Sequence, residues 1–200
     1  APLSALMAVA FLISGLVVLV LDLGRPDRLI VAMTTYNFKS IFAWNIFLYS
    51  GFAAILVVYL WFMLDRTVSN YSKPVGVFAF LWRIILTTGT GSIFGFLIAR
   101  DAYGTAILAP LFIIMSLLYG TVIYFLLLKV INYFQDTLMT DEVKDNLRKI
   151  TIFFLFANLY FLALYHITNL YISKHYDYEV FILTAGAIYT IIFWIGQVLI

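Results

Sequence analysis

Few residues in this chain can exchange protons or grip a ligand. Its 200 residues include 12 Lys and Arg, 10 Asp and Glu, two His and no Cys. The charged groups gather most densely in Asp22-Leu23-Gly24-Arg25-Pro26-Asp27-Arg28, followed at short distance by Ser40-Ile41-Phe42-Ala43-Trp44-Asn45. Apolar runs flank this stretch, one ending at Leu21 and the other starting near Ile41. Gly24 permits the left-handed turn that ends a helix, and Pro26 cannot continue one. The chain should therefore leave the bilayer here, turn sharply and lie against its surface. The Asp22–Arg25 pairing is echoed by Arg100–Asp101, next to Tyr103. Paired charges can shape a polar pocket reaching below the headgroups. An apolar slot, aromatic walls and a few proton donors and acceptors would suit a quinone ring. The plainer alternative is an interfacial girdle of aromatics and charges. The residues alone leave both open.

Other chemistries find little support. Without Cys the chain can form no disulfide and no thiolate-ligated Fe–S cluster. A haem crossing a membrane needs two facing His ligands, and only His166 and His175 exist. His166 falls within a predicted helix and His175 in the loop beyond it, too far apart to grip one iron. No metal-ligand cluster, HExxH motif or phosphate-cradling loop is present, so no metal site is expected. A net charge of +2 gives no footprint for nucleic acid. Arg83 and His166 are ionisable groups inside apolar runs. Such groups are costly in a bilayer and usually face a bundle interior or cavity. They are candidates for a proton route, against snorkelling for Arg83 and plain packing for His166.

These residues must be positioned by membrane helices. The chain is 64% hydrophobic and 11% charged, with a mean hydropathy of +1.05, whereas soluble domains are about half apolar and about a quarter charged. The expected fold is all-α and polytopic. A span needs about 20 apolar residues, and six segments qualify: about 3–21, 41–64, 76–99, 106–134, 150–172 and 180–200. The polar run 135–149 reads as a solvated connector with a helix start at Thr140-Asp141. The loops carrying Arg66, Lys73, Lys144, Arg148 and Lys149 hold the slightly larger positive charge, which places them on the cytoplasmic side. Both ends lie within apolar runs, so the chain is expected to be an excerpt of a longer membrane protein.

The motif Leu21-Asp22-Leu23-Gly24-Arg25-Pro26, with Ser40-Ile41-Phe42-Ala43-Trp44-Asn45, resembles the LDLGRP … SPxxW(G/D) pattern of the NrfD/PsrC family. These are membrane subunits of polysulfide reductases and related oxidoreductases. The blocks 93–103, 110–120 and 186–196 are similar to later family blocks, and the spacing is closest to the DsrP and HybB branch. The resemblance implies two four-helix bundles, divided here into 1–105 and 106–200, with one helix missing at each end. It implies a bound, exchangeable menaquinone or ubiquinone and a ferredoxin-like Fe–S partner at the outer face. Further cytochrome or catalytic subunits, anaerobic sulfur or hydrogen metabolism and a prokaryotic inner membrane go with it. The subunit itself would carry no haem and no Fe–S cluster.

Residue by residue, the resemblance places Asp22 at the quinone oxygen as proton exchanger and Asn45 as its hydrogen-bond partner. Trp44 and Tyr103 become walls, and Arg25 and Arg100 set the local potential. Ile41 stands where the family motif has Pro, and Thr87 where related members have His. The rival readings are a secondary transporter, with broken helices and a midplane site, and a bare anchor without a quinone site. For the transporter, Gly89-Thr90-Gly91 is the one suggestive segment.

Overall fold

The computed structural model describes residues 2–22, 31, 34–35, 38–65, 68–98, 100, 102–135 and 140–198. The elements described are α1 (Pro2–Asp22), α2 (Ile41–Leu64), a 3-10 turn (Ser69–Tyr71), α3 (Ser72–Gly95), α4 (Leu108–Gln135), α5 (Asp141–Tyr171), α6 (Ser173–Val180), a π-helical turn (Phe181–Ala185) and α7 (Ile188–Val198). No strand occurs among them. Contacts divide the chain into two compact units, Ala1–Thr90 and Gly91–Ile200, with the boundary inside α3.

In the first unit the helices have little intrinsic amphipathic pattern, as expected where lipid replaces water on the outer face. α2 is 24 residues long, roughly 36 Å at 1.5 Å per residue, enough to cross a hydrocarbon core of about 30 Å. Leu12 of α1 packs with Phe52 and Leu56 of α2 and Leu86 of α3. Trp82 closes this core. Its indole lies so near Gly51 that a Cβ there would sit 2.6 Å from the ring, and its Nε1–H donates to the Leu48 carbonyl at 3.0 Å. Small residues permit such close helix approach where no water drives association.

In the second unit α4 packs along α5, and α5 against α6. A Cβ on Gly91 would lie 2.8 Å from the Ala109 Cα, so glycine is what lets the end of α3 touch the start of α4. α5 begins at Asp141, preceded by Thr140 in extended conformation. Asp141 and Glu142 occupy its first turn, where carboxylates complement the helix dipole, and Lys144 pairs with Asp141 at 3.0 Å. The span expected from 150 thus begins within a longer helix of 31 residues. Its polar first turns follow local helix propensity, which a hydropathy window does not register.

Two sequence expectations are corrected. The sixth span, expected to run unbroken over 180–200, is broken: Ser173–Ala185 and Ile188–Gln197 meet at 82°. Among the described residues four helices are long and apolar enough to cross a membrane, five if the bent pair counts as one span. Among those residues the expected count of six is not reached; Ser4–Val18, within α1, counts only as a shorter apolar helix. Gly89-Thr90-Gly91, where a break was considered, lies inside continuous α3.

Candidate functional site

Asn45 is the best-placed of the predicted site residues in the first unit. It sits in the second turn of α2 and is 4% exposed. Its Oδ1 lies 3.4 Å from the Thr90 hydroxyl on α3. A Cβ on Gly89 would come 3.4 Å from the same oxygen, an ordinary contact. Thr87, Thr88 and Thr90 each donate to the carbonyl four residues back, at 2.8, 2.8 and 3.0 Å. This i−4 bonding keeps the hydroxyls satisfied without breaking the helix. Trp44 turns elsewhere: it is half exposed, its Nε1–H donates to the Phe38 carbonyl at 2.9 Å, and its ring meets Phe38 and Phe47 edge-on.

Asp22 ends α1. Its side chain lies outside the described residues, as do Arg25, Pro26, Asp27, Arg28 and Asp101. Arg83 is the twelfth residue of the 24 in α3, about 16 Å along the axis and deeper than a start near Gly76 implied. Its guanidinium lies over the Phe52 ring, 5.6 Å from the centroid, a cation–π contact that gains strength away from water.

In the second unit, Tyr103 packs its ring on Phe94, which stacks on Phe112. Arg100 is exposed. The connection from α3 to α4 is tied down by backbone bonds. Gly104, with φ +91°, donates to the Phe94 carbonyl at 3.2 Å. Tyr165 of α5 donates to the Ala102 carbonyl at 2.6 Å, and Lys174 reaches the Ile98 carbonyl at 2.5 Å.

The most developed polar constellation is one the sequence only half revealed. His166 Nδ1 contacts Glu179 Oε1. Glu179 Oε2 accepts from Asn169 Nδ2 at 3.1 Å. Glu179 and Asn169 are each 1% exposed. His166 and Asn169 lie three residues apart on α5 and so share a face; α6 delivers the carboxylate. His175, expected in a loop, is instead buried in α6 at 4% exposure. The stripe continues along α5 to Asn158, fully buried, whose carboxamide has no partner among the described residues. The i, i+3 spacing of His166 and Asn169 was a usable signal. Glu179 was not legible, because it borders an apolar run and reads as an interfacial acid.

Beside His166 lies a cavity of ≈ 380 Å³, walled by Leu162, Leu183, Phe193 and Trp194 and reaching Gln197. His166 Nε2 and Gln197 Oε1 are buried and have no partner among the described residues. Phe193 meets the imidazole edge-on, with centroids 5.3 Å apart. The bend in the last span shapes this space. A break in a bilayer helix must re-satisfy its backbone groups. Thr190 does so twice: its hydroxyl accepts from the Gly186 N–H at 3.1 Å and donates to the Phe181 carbonyl at 3.2 Å. Trp194 Nε1–H donates to the Leu183 carbonyl at 3.1 Å. Ala187 takes the strained left-handed conformation, φ 45°. Among the described residues no group of His, Asp and Glu could hold a metal ion.

Long apolar helices whose few buried polar groups meet one another within the bundle define a multi-pass integral membrane protein. The chain belongs to the NrfD family: the match to the family described as polysulphide reductase, NrfD, covers residues 1–200. It is also similar to the Hdr-like menaquinol oxidoreductase integral membrane subunit of Archaeoglobus fulgidus, 30% identical over 117 residues. That alignment covers 58% of this chain and 29% of the relative, so the chain spans under a third of that protein. No solved structure matches.

Proposed function

We propose that this chain is the quinone-interacting membrane subunit of a multi-subunit respiratory oxidoreductase. It exchanges electrons between the menaquinone or ubiquinone pool and a ferredoxin-like Fe–S subunit docked at the outer face of a prokaryotic inner membrane. Cytochrome or catalytic subunits complete the complex, which serves sulfur or hydrogen metabolism. The two-bundle division at 105–106 belongs to the same reading. The family and the menaquinol oxidoreductase relative support it. The observation that carries it is the burial of the Asn45 carboxamide in the first turns of α2, the helix that follows the LDLGRP stretch in sequence. A polar group there suits a ring oxygen better than it suits lipid. Asp22 would exchange the proton, Asn45 would hold the oxygen, and Arg25, Trp44, Arg100 and Tyr103 would shape the surroundings.

The test is quinol-dependent electron transfer in the assembled complex. Asp22→Asn and Asn45→Leu should each lower kcat/KM by roughly tenfold or more, equivalent to about 1.4 kcal/mol of transition-state stabilisation. Unchanged turnover in both would sink the assignment. The 82° bend is a feature that transporters also carry. Quinone-independent solute or ion flux in liposomes bearing the whole complex would favour that second reading.

A further inference from the structure

The cavity beside His166 is lined by α5 and the bent last span, and its chemistry is specific. Its walls are leucine and aromatic, which suits a lipid-soluble molecule. Its volume lies within the range of about 300–1,000 Å³ usual for small-molecule pockets. Two buried polar atoms, His166 Nε2 and Gln197 Oε1, have no partner among the described residues. Native interiors rarely leave such atoms unpaired, so each asks for an occupant.

The protonation of the His166–Glu179 pair decides what that occupant offers. A buried net charge is costly in a bilayer, so the pair is held neutral overall. Two arrangements achieve this. In one, a protonated imidazole faces an ionised carboxylate. In the other, the carboxyl proton is donated to Nδ1 and the imidazole is neutral. Both leave a proton on Nε2, because Nδ1 is engaged by Glu179 in each. Asn169 fixes the other carboxylate oxygen from the far side. The cavity therefore presents one N–H donor, from His166, and one carbonyl acceptor, from Gln197.

We infer that this cavity binds the ring of a lipid-soluble quinone, with a ring carbonyl accepting from His166 Nε2–H and the ring plane set by Phe193 and Trp194. This is a second ring site, in the unit formed by residues 91–200, and it rests on the reading of the subunit as one that meets the quinone pool. His166 is here a ligand-binding residue, and Glu179 is a positioning residue that keeps the proton on Nε2. An aromatic ring with a carbonyl fits the donor and the walls together, whereas an acyl chain would leave the donor unpaired.

The experiment is photolabelling of the full-length complex in native membranes with a short-tailed naphthoquinone bearing a diazirine. Adducts are mapped by mass spectrometry. Labelling is expected on the segments 183–197 or 159–167 and should be competed by excess menadione. His166→Leu should reduce it roughly tenfold, the effect of leaving one buried hydrogen-bonding group without its partner. His166→Gln, which restores an N–H donor, should recover part of it, and this distinguishes lost recognition from lost folding. Asn45→Leu should leave labelling of 183–197 unchanged while lowering quinol-dependent turnover. Labelling confined to segments outside 159–167 and 183–197 would overturn this site and leave the quinone reading standing. No specific labelling anywhere, with normal turnover in Asn45→Leu, would remove both. Equal labelling of 183–197 by a diazirine-bearing long-chain alcohol would identify a general lipid groove and overturn the inference.

Discussion

A carboxylate that is 1% exposed within a membrane protein is tolerable only because His166 and Asn169 engage both of its oxygens. Removing it strands both partners. Glu179→Leu should therefore destabilise the protein by about 3–5 kcal/mol, as expected when one member of a buried pair is deleted. Glu179→Gln keeps hydrogen-bonding atoms in place and should cost less. Thermal unfolding in lipid nanodiscs checks the order, and equal midpoints for both variants would contradict it. At this scale the sequence was partly readable. His166 stood out as an ionisable group in an apolar run, and Asn45 as the last residue of a motif. Glu179 did not, since its burial depends on where α6 folds back, and local hydropathy carries no such information. Trp44 was readable as an aromatic but not in its direction: its indole serves the Phe38 carbonyl, and its wall role stays with the proposal.

At the scale of elements, long straight helices were legible because apolar length is all a bilayer asks of them. α2 coincides with the expected 41–64. Breaks were harder to read. Gly89-Thr90-Gly91 looks like a weak point, yet α3 runs through it unbroken, with the Thr87, Thr88 and Thr90 hydroxyls satisfied on carbonyls four residues back. The real bend comes at Gly186-Ala187, where Thr190 bonds across the gap. Thr190→Val removes both of those bonds and should destabilise the protein by about 1–3 kcal/mol. It should also widen the distribution of distances between spin labels placed on α6 and α7. A variant with unchanged stability and an unchanged distance distribution would show that Thr190 does not hold the bend.

At the scale of the whole molecule, composition alone established the class, because an apolar excess of this size has nowhere to go but lipid. The family was legible from the LDLGRP stretch and is shown by the match over residues 1–200. The chemistry assigned to that stretch stays with the proposal, since motif residues declare kinship while their roles depend on how side chains meet. On the proposed function, the molecule takes a redox-active ring out of the bilayer and holds it against buried polar groups. The most direct measurement is the quinone content of the purified full-length complex, by solvent extraction and chromatography, for the wild type and Asn45→Leu. On that function, quinone should be retained in stoichiometric amount by the wild type and reduced in the variant. Quinone no higher than its share of the bulk lipid, with equal quinol-dependent turnover in both proteins, would contradict it.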